Sequence, residues 1–342
     1  MDLWEYLKGA QKPIVLYGMG NGADKIIKVL DEKGIEYKGV FASSGFVRPK
    51  LFHGFPVESY ETIKSRLGDM IVLLCFGTHL PEVIENIKKI ACEQELYAPE
   101  VPVVGGGLFD SDFLLHNKTE FDKIYNLLAD ESSKQTFENV VKYKLSGKID
   151  YLFDCETYAD EPYETFLRLK KGECFLDLGA YNGDTVLDFA NRCPDYGKIL
   201  AVEPDFKNFK KLTFNTKDLK NTECHNFPVS DFTGKGGFVM NSGRNSLAGE
   251  GAETDFITVD DLLKGQEVTL IKMDVEGEEL KAIEGAKNTI SIHRPKMIIS
   301  AYHRTEDFLT LPDKVLGICG NYKIYMRHFP SLPAWDTVYY FI

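Results

Sequence analysis

The chain has 342 residues, of which 44% are hydrophobic and 27% charged, with a formal net charge of −12. At ~100–200 residues per domain that length suggests two ordered domains, and the composition is that of a globular rather than a disordered chain. The acidic excess excludes nucleic acid as the main partner, since neutralising phosphates needs a basic face.

The opening Met1-Asp2-Leu3-Trp4-Glu5-Tyr6 lacks the basic flank and apolar core of a signal peptide, and no apolar run reaches the ~20 residues that span a bilayer, so a cytoplasmic location without a membrane partner is expected. Seven scattered cysteines, without a C-x-x-C pair, read as reduced core residues rather than a disulfide frame or a zinc site. An apolar strand is expected over 13–18, followed by Gly18-Met19-Gly20-Asn21-Gly22 and a helix with Ile26, Ile27, Val29 and Leu30 on one face. A strand over 37–42, a helix near 58–67, a strand over 70–76 closing on Gly77-Thr78-His79, and a helix over 82–91 opened by Pro81 complete a small parallel sheet. Residues 1–115 therefore read as a Rossmann-like unit. Its glycine turn invites an NAD reading, but the acid that should end the second strand is missing from Phe41-Ala42-Ser43-Ser44. Two readings of the turn remain: a glycine that merely permits the strand-to-helix turn, and a nucleotide-sugar or phosphate site at the helix N-terminus. Apolar spacing predicts helix over 121–145, and the aromatic, acidic run 151–163 reads as a loop, so 116–171 is expected to be a helical connector with a covering loop.

From 172 to 342 a second doubly wound α/β unit is expected. Its elements are strand 174–178, helix 184–191, strand 199–202, helix 206–214, strand 223–229, a β excursion over 237–240, a polar loop over 241–247, an extended piece over 256–259, strand 268–273, helix 278–290, strand 296–300, helix 308–318 and two terminal strands, 322–328 and 337–342. The first strand ends in Asp177-Leu178-Gly179-Ala180-Tyr181-Asn182-Gly183-Asp184. Glycines there remove the Cβ atoms that would keep a nucleotide-like ligand from the backbone. The next strand ends in Glu203, where a carboxylate accepts from ribose hydroxyls. The two features together place an adenosyl group across the strand ends.

The ordered set of 175–185, Glu203-Pro204-Asp205, Val229-Ser230-Asp231, Thr258-Val259-Asp260-Asp261-Leu262 and Ile271-Lys272-Met273-Asp274-Val275-Glu276-Gly277-Glu278-Glu279 resembles the FkbM family of S-adenosyl-L-methionine-dependent methyltransferases. The resemblance covers the second half of the chain. It implies a class I methyltransferase fold with an antiparallel terminal hairpin, and methylation of a hydroxyl on a sugar or natural product. It implies that Asp177 and the loop Gly179, Tyr181, Asn182, Gly183 and Asp184 hold the amino acid end of the donor, with Ser230 and Asp231 at the adenine. For the last pair a simple Ser-Asp turn explains the residues equally well.

In Asp274-Val275-Glu276 strand alternation puts both carboxylates on one side, where either serves as general base. Asp274 is also expected to orient donor or acceptor. Two carboxylates are too few for a metal site that usually takes six oxygens, and no metal ligand is assigned. His303, just beyond strand 296–300, is the first candidate for taking the acceptor's proton, with a hydrogen-bonded structural histidine as the alternative. The partner is thus a small-molecule acceptor, a sugar or nucleotide-sugar among them, and the sequence is compatible with a homo-oligomer. Two other functions are kept: an oxidoreductase binding NAD or a nucleotide-sugar at Gly18 to Gly22, and a silent module that retains the donor pocket.

Overall fold

The computed structural model describes residues 1–43, 45–47, 51–239, 247–248 and 252–342. Of the polar loop expected over 241–247 only Leu247 falls among them; Ser44 and Met240 do not.

The N-terminal part contains α1 (Leu3–Gly9), β1 (Ile14–Tyr17), α2 (Asn21–Lys33), β2 (Val40–Ala42), β3 (Leu51–Phe52), β4 (Phe55–Ser59), α3 (Tyr60–Leu67), β5 (Ile71–Leu74), α4 (Pro81–Glu93) and β6 (Glu95–Tyr97). Its six-stranded sheet has the order β3-β4-β2-β1-β5-β6 and is parallel except for the β3/β4 pair. β1 and β5 are buried along their whole length, which is why they read as continuous apolar runs. Sequence periodicity misses β3, β4, β6 and α1: the strands are two to five residues long, and α1 depends on a side-chain cap in which Asp2 accepts from the N–H groups of Trp4 and Glu5.

Between the sheets lie α5 (Ser111–His116), α6 (Lys118–Leu127), α7 (Glu131–Ser146) and α8 (Asp150–Phe153), followed by a π-helical turn over Tyr163–Leu167. The single helical stretch expected over 121–145 is two helices, because Asp130 ends one turn and caps α7 through the Ser133 N–H at 2.7 Å. The stretch over 151–163, expected as a loop, is part helix and part loop. Its anchor is Arg327, fully buried, which donates at 2.8 Å to both carboxylate oxygens of Glu161 and to Oδ2 of Asp130. Burial alone would raise the Asp130 pKa, but Arg327 and Ser133 hold it below the usual value. Arg327→Met should therefore destabilise the fold by about 2–3 kcal/mol, somewhat less than a fully buried pair because Asp130 keeps some solvent. This contribution is complete above the unfolded carboxylate pKa of ~3.9 and is lost as pH falls through the depressed folded value. Chemical denaturation of both proteins at neutral and acidic pH checks it: the gap should close on acidification, and an equal gap at both pH values would refute the assignment.

The second sheet is built from β7 (Cys174–Leu178), α9 (Asp184–Arg192), β8 (Lys198–Val202), α10 (Phe206–Thr216) and β9 (Thr222–His225), then β10 (Gly234–Val239), β11 (Leu247–Ala248), β12 (Ala252–Phe256), α11 (Val259–Leu263), β13 (Leu270–Met273), α12 (Glu279–Glu284), α13 (Lys287–His293), β14 (Lys296–Ser300), α14 (Asp307–Ile318), β15 (Ile324–His328) and β16 (Thr337–Phe341). Its order, β15-β16-β14-β13-β7-β8-β9, is parallel through β14-β13-β7-β8-β9 and antiparallel at β14/β16 and β15/β16. The two α/β units and the terminal antiparallel pair are as the sequence predicts. Three details differ. β9 stops at His225, short of Pro228, which cannot donate to a ladder. β10 and β12 form a separate antiparallel ribbon with β11. The helix expected over 278–290 is broken, because Asp260 on α11 accepts from the N–H groups of Asn288 and Thr289 and caps α13 from outside.

The largest apolar core runs from Val15 and Val72 of the first sheet through Phe121, Phe137 and Leu152 to Ile271, Phe308 and Tyr339. The sheets also join directly: Thr78, after β5, and Leu332 exchange backbone hydrogen bonds of 2.7 and 2.9 Å, and the Trp335 ring packs on Gly77. No helix among the described residues is long and apolar enough to cross a membrane.

Candidate functional site

The carboxyl ends of β7, β8, β13 and β14 open into a cavity of about 870 Å³, whose wall also includes His79 from the turn after β5 and Asp336 from the turn before β16. Cavities of this kind arise where neighbouring parallel strands send their connections to opposite faces of a sheet.

Gly179 shapes the floor. Its φ is +84°, and a Cβ there would lie 1.9 Å from the carbonyl oxygen of Asp274, so the ends of β7 and β13 meet only because this residue has no side chain. Gly183, with φ +89°, precedes α9 as its N-cap, and Asp184 accepts from the Thr185 N–H at 2.8 Å. Asn182 accepts from the Asp184 N–H at 3.2 Å through its side chain and from Asn215 at 2.8 Å through its carbonyl, and so shapes the loop without lining the cavity. Tyr181 is half exposed on the wall.

Glu203 lines the cavity at the end of β8. Its two oxygens accept the N–H groups of Asp205 at 2.8 Å and Tyr181 at 2.9 Å, each keeping a lone pair. Burial pushes its pKa up to about 7, against those two bonds. Beside it Phe227, Pro228, Val229 and Phe256 make an apolar wall.

Three further residues expected at the donor do not line the cavity. Asp177 is fully buried beneath the floor, its pKa pushed to about 6 by burial against the pull of Lys272, 3.6 Å away. Ser230 is buried and its hydroxyl donates to Asp231, while its N–H donates to Ile257. Neither Ser230 nor Asp231 lines the cavity: pairing with the Ile257 segment carries the chain past the wall that Phe227 to Val229 form.

Lys272, absent from the expected site, reaches the cavity between Asp177 and Asp274, the latter 3.7 Å away. Burial would discharge it, but the two carboxylates hold its pKa above the ordinary lysine value. The alternation that pairs Asp274 with Glu276 also pairs it with Lys272, so the signal was present. Asp274 accepts from the Tyr302 hydroxyl at 3.0 Å; burial would raise its pKa, but Lys272, His303 and Tyr302 bring it below the usual value. Asp274, Glu276 and Tyr302 all line the cavity.

His303 does not. It is fully buried behind Asp274 and Glu276, with Nε2 3.6 and 3.7 Å from their oxygens and Nδ1 3.0 Å from Glu279 Oε1. Burial would lower its pKa, yet Glu279, Asp274 and Glu276 raise it to about 9. An imidazole so placed holds its proton at neutral pH and does not reach the cavity, which argues against the first candidate for general base. His79 was missed because a single histidine after Gly77-Thr78 gives no hint that a second sheet closes on it.

The glycine turn of the first sheet is used for packing: a Cβ on Gly22 would lie 2.3 Å from the carbonyl oxygen of Cys75 at the end of β5.

Residues 177–319 match the family model of the methyltransferase FkbM domain. Among solved structures the chain is similar to methyltransferase FkbM from Methylobacillus flagellatus KT, with 23% identity, 99% of this chain and 92% of that chain covered, and a TM-score of 0.75. A smaller likeness, with 16% identity, 51% of this chain and 81% of that chain covered and a TM-score of 0.33, is to precorrin-6y C5,15-methyltransferase from Geobacter metallireducens GS-15. No curated protein matches the chain.

Proposed function

We propose that this chain, whose residues 177–319 match the family model of the methyltransferase FkbM domain, transfers a methyl group from S-adenosyl-L-methionine to a hydroxyl of a sugar or natural product. Glu203 carries this reading: a carboxylate at the end of the second parallel strand, on the cavity wall, with lone pairs left for two ribose hydroxyls. The apolar wall of Phe227, Pro228, Val229 and Phe256 suits a flat base. Asp177 serves through Lys272, whose charge and position it fixes. When bound, the sulfonium donor supplies an already activated methyl group. What remains for the chain is to orient the acceptor and accept one proton. Asp274, fixed by Tyr302 and Lys272, orients. Glu276, whose carboxylate reaches the cavity, takes the proton. His303 positions both carboxylates from behind.

In this reading residues 1–115 form an acceptor-side unit that brings His79 to the cavity, 116–171 a connector, and 172–342 the transferase domain. The packing role of Gly22 counts against a dinucleotide at the first glycine turn. Calorimetry with S-adenosyl-L-methionine tests the donor site: Glu203→Ala should bind more weakly by about 1–3 kcal/mol, because ribose hydroxyls are left without their acceptor. Wild-type affinity in that variant would remove Glu203 from the donor site.

A further inference from the structure

One carboxylate oxygen each of Asp274 and Glu279 and one ring nitrogen of His303 lie within 4.8 Å of one another. Sequence spacing hides this set, since His303 follows Glu279 by a helix pair and a strand and meets it only because β13 and β14 are neighbours in parallel register. Glu279 and His303 are fully buried, yet Glu279 Oε2 and both ring nitrogens make no hydrogen bond. Glu279 Oε1 is already taken by the Val275 N–H at 2.9 Å; it lies 3.0 Å from Nδ1, but off the direction in which a ring N–H donates. Buried nitrogen and oxygen atoms left in this way are ordinarily found with a partner. Asp274 and Glu276 lie 3.6 and 3.7 Å from Nε2 of the ring, and Lys272 pairs with Asp274 on the cavity side.

We propose that Asp274, Glu279 and His303 bind a divalent transition-metal ion of the manganese-to-zinc class behind the acceptor side of the cavity. Two carboxylates and one imidazole suit that class better than magnesium or calcium, which prefer all-oxygen shells. Bonds of ~2.0–2.2 Å allow ligand atoms up to ~4.4 Å apart across an ion, so a small rotation of one carboxylate closes the set. The ion needs a neutral imidazole, and binding releases the ring's second proton. Asp274 also lines the cavity, which puts the ion one side chain away from the acceptor. The binding claim is independent of the donor and of the proposed reaction.

The test is titration of the whole chain with Mn²⁺ alone, followed by calorimetry and by the electron-spin-echo spectrum of the bound ion. One ion per chain, with a nitrogen coupling from a directly bound imidazole, is expected, and Asp274→Asn and His303→Gln should each weaken binding at least ~10-fold. Glu203→Ala should bind Mn²⁺ as the wild type does. Absence of saturable binding by the wild-type chain, binding without nitrogen coupling, or full affinity in both variants overturns the site and leaves the cluster as an internal ion pair. The wild-type spectrum decides the question even where a variant fails to fold.

Discussion

Glu276→Gln should slow methyl transfer ~10²–10⁴-fold while leaving affinity for the donor close to that of the wild type. The amide keeps the shape of the side chain and its place on the cavity wall, but it cannot take up the proton that an acceptor hydroxyl releases. On the proposed reading donor binding draws on Glu203 and the loop around Gly179, at the ends of other strands, so the two measurements separate. Transfer of labelled methyl groups into a native extract, beside calorimetry with the donor, provides the readout. Unchanged transfer by the Gln variant would sink the assignment of Glu276 as base. Loss of donor binding along with rate would show instead that Glu276 acts in the donor site.

The other large effect is expected at Gly179. Alanine there must adopt a φ of +84° and must place its Cβ where the Asp274 carbonyl oxygen lies 1.9 Å away. The left-handed conformation costs ~1–2 kcal/mol and forced overpacking ~1–3 kcal/mol, with the upper part of the range appropriate because the obstacle is backbone and cannot rotate aside. Gly179→Ala should therefore lose about 3–5 kcal/mol in chemical denaturation. The ends of β7 and β13 would separate, and Asp274 would move with them, so donor binding should fall as well. A variant as stable as the wild type would mean that the approach of the two strands is slack.

The contrast between these two residues explains how much was legible in the sequence. The parallel strands β7, β8, β13 and β14 are buried apolar runs that end in charged or glycine residues, and both periodicity and turn chemistry mark them. Glu203, Asp274 and Glu276 follow such runs directly, so their places beside the cavity could be foreseen. Asp177 could not be placed finely, because whether a strand-end side chain faces the cavity or the floor depends on the neighbouring strand, here on Lys272 of β13. Ser230 turns inward because Ile257 pairs with the backbone beside it. His303 is buried because α12, two elements away, puts Glu279 against its ring. Each of these outcomes is decided by contacts distant in sequence, to which local patterning is blind.

The paired hydrogen bonds between Thr78 and Leu332 have a mechanical meaning. They join the two sheets beside His79, at the rim of the cavity rather than at its far side. Any rocking of one sheet against the other works through that joint and alters the spacing between His79 and Tyr302. A molecule that presses on both walls acts as a wedge in the joint, and its grip is paid out as stiffness between the sheets. By reciprocity, whatever stiffens the joint from outside, such as a longer side chain braced against Trp335, tightens the grip on that molecule by the same free energy. The N-terminal sheet is thus coupled through this joint to the cavity wall that His79 lines.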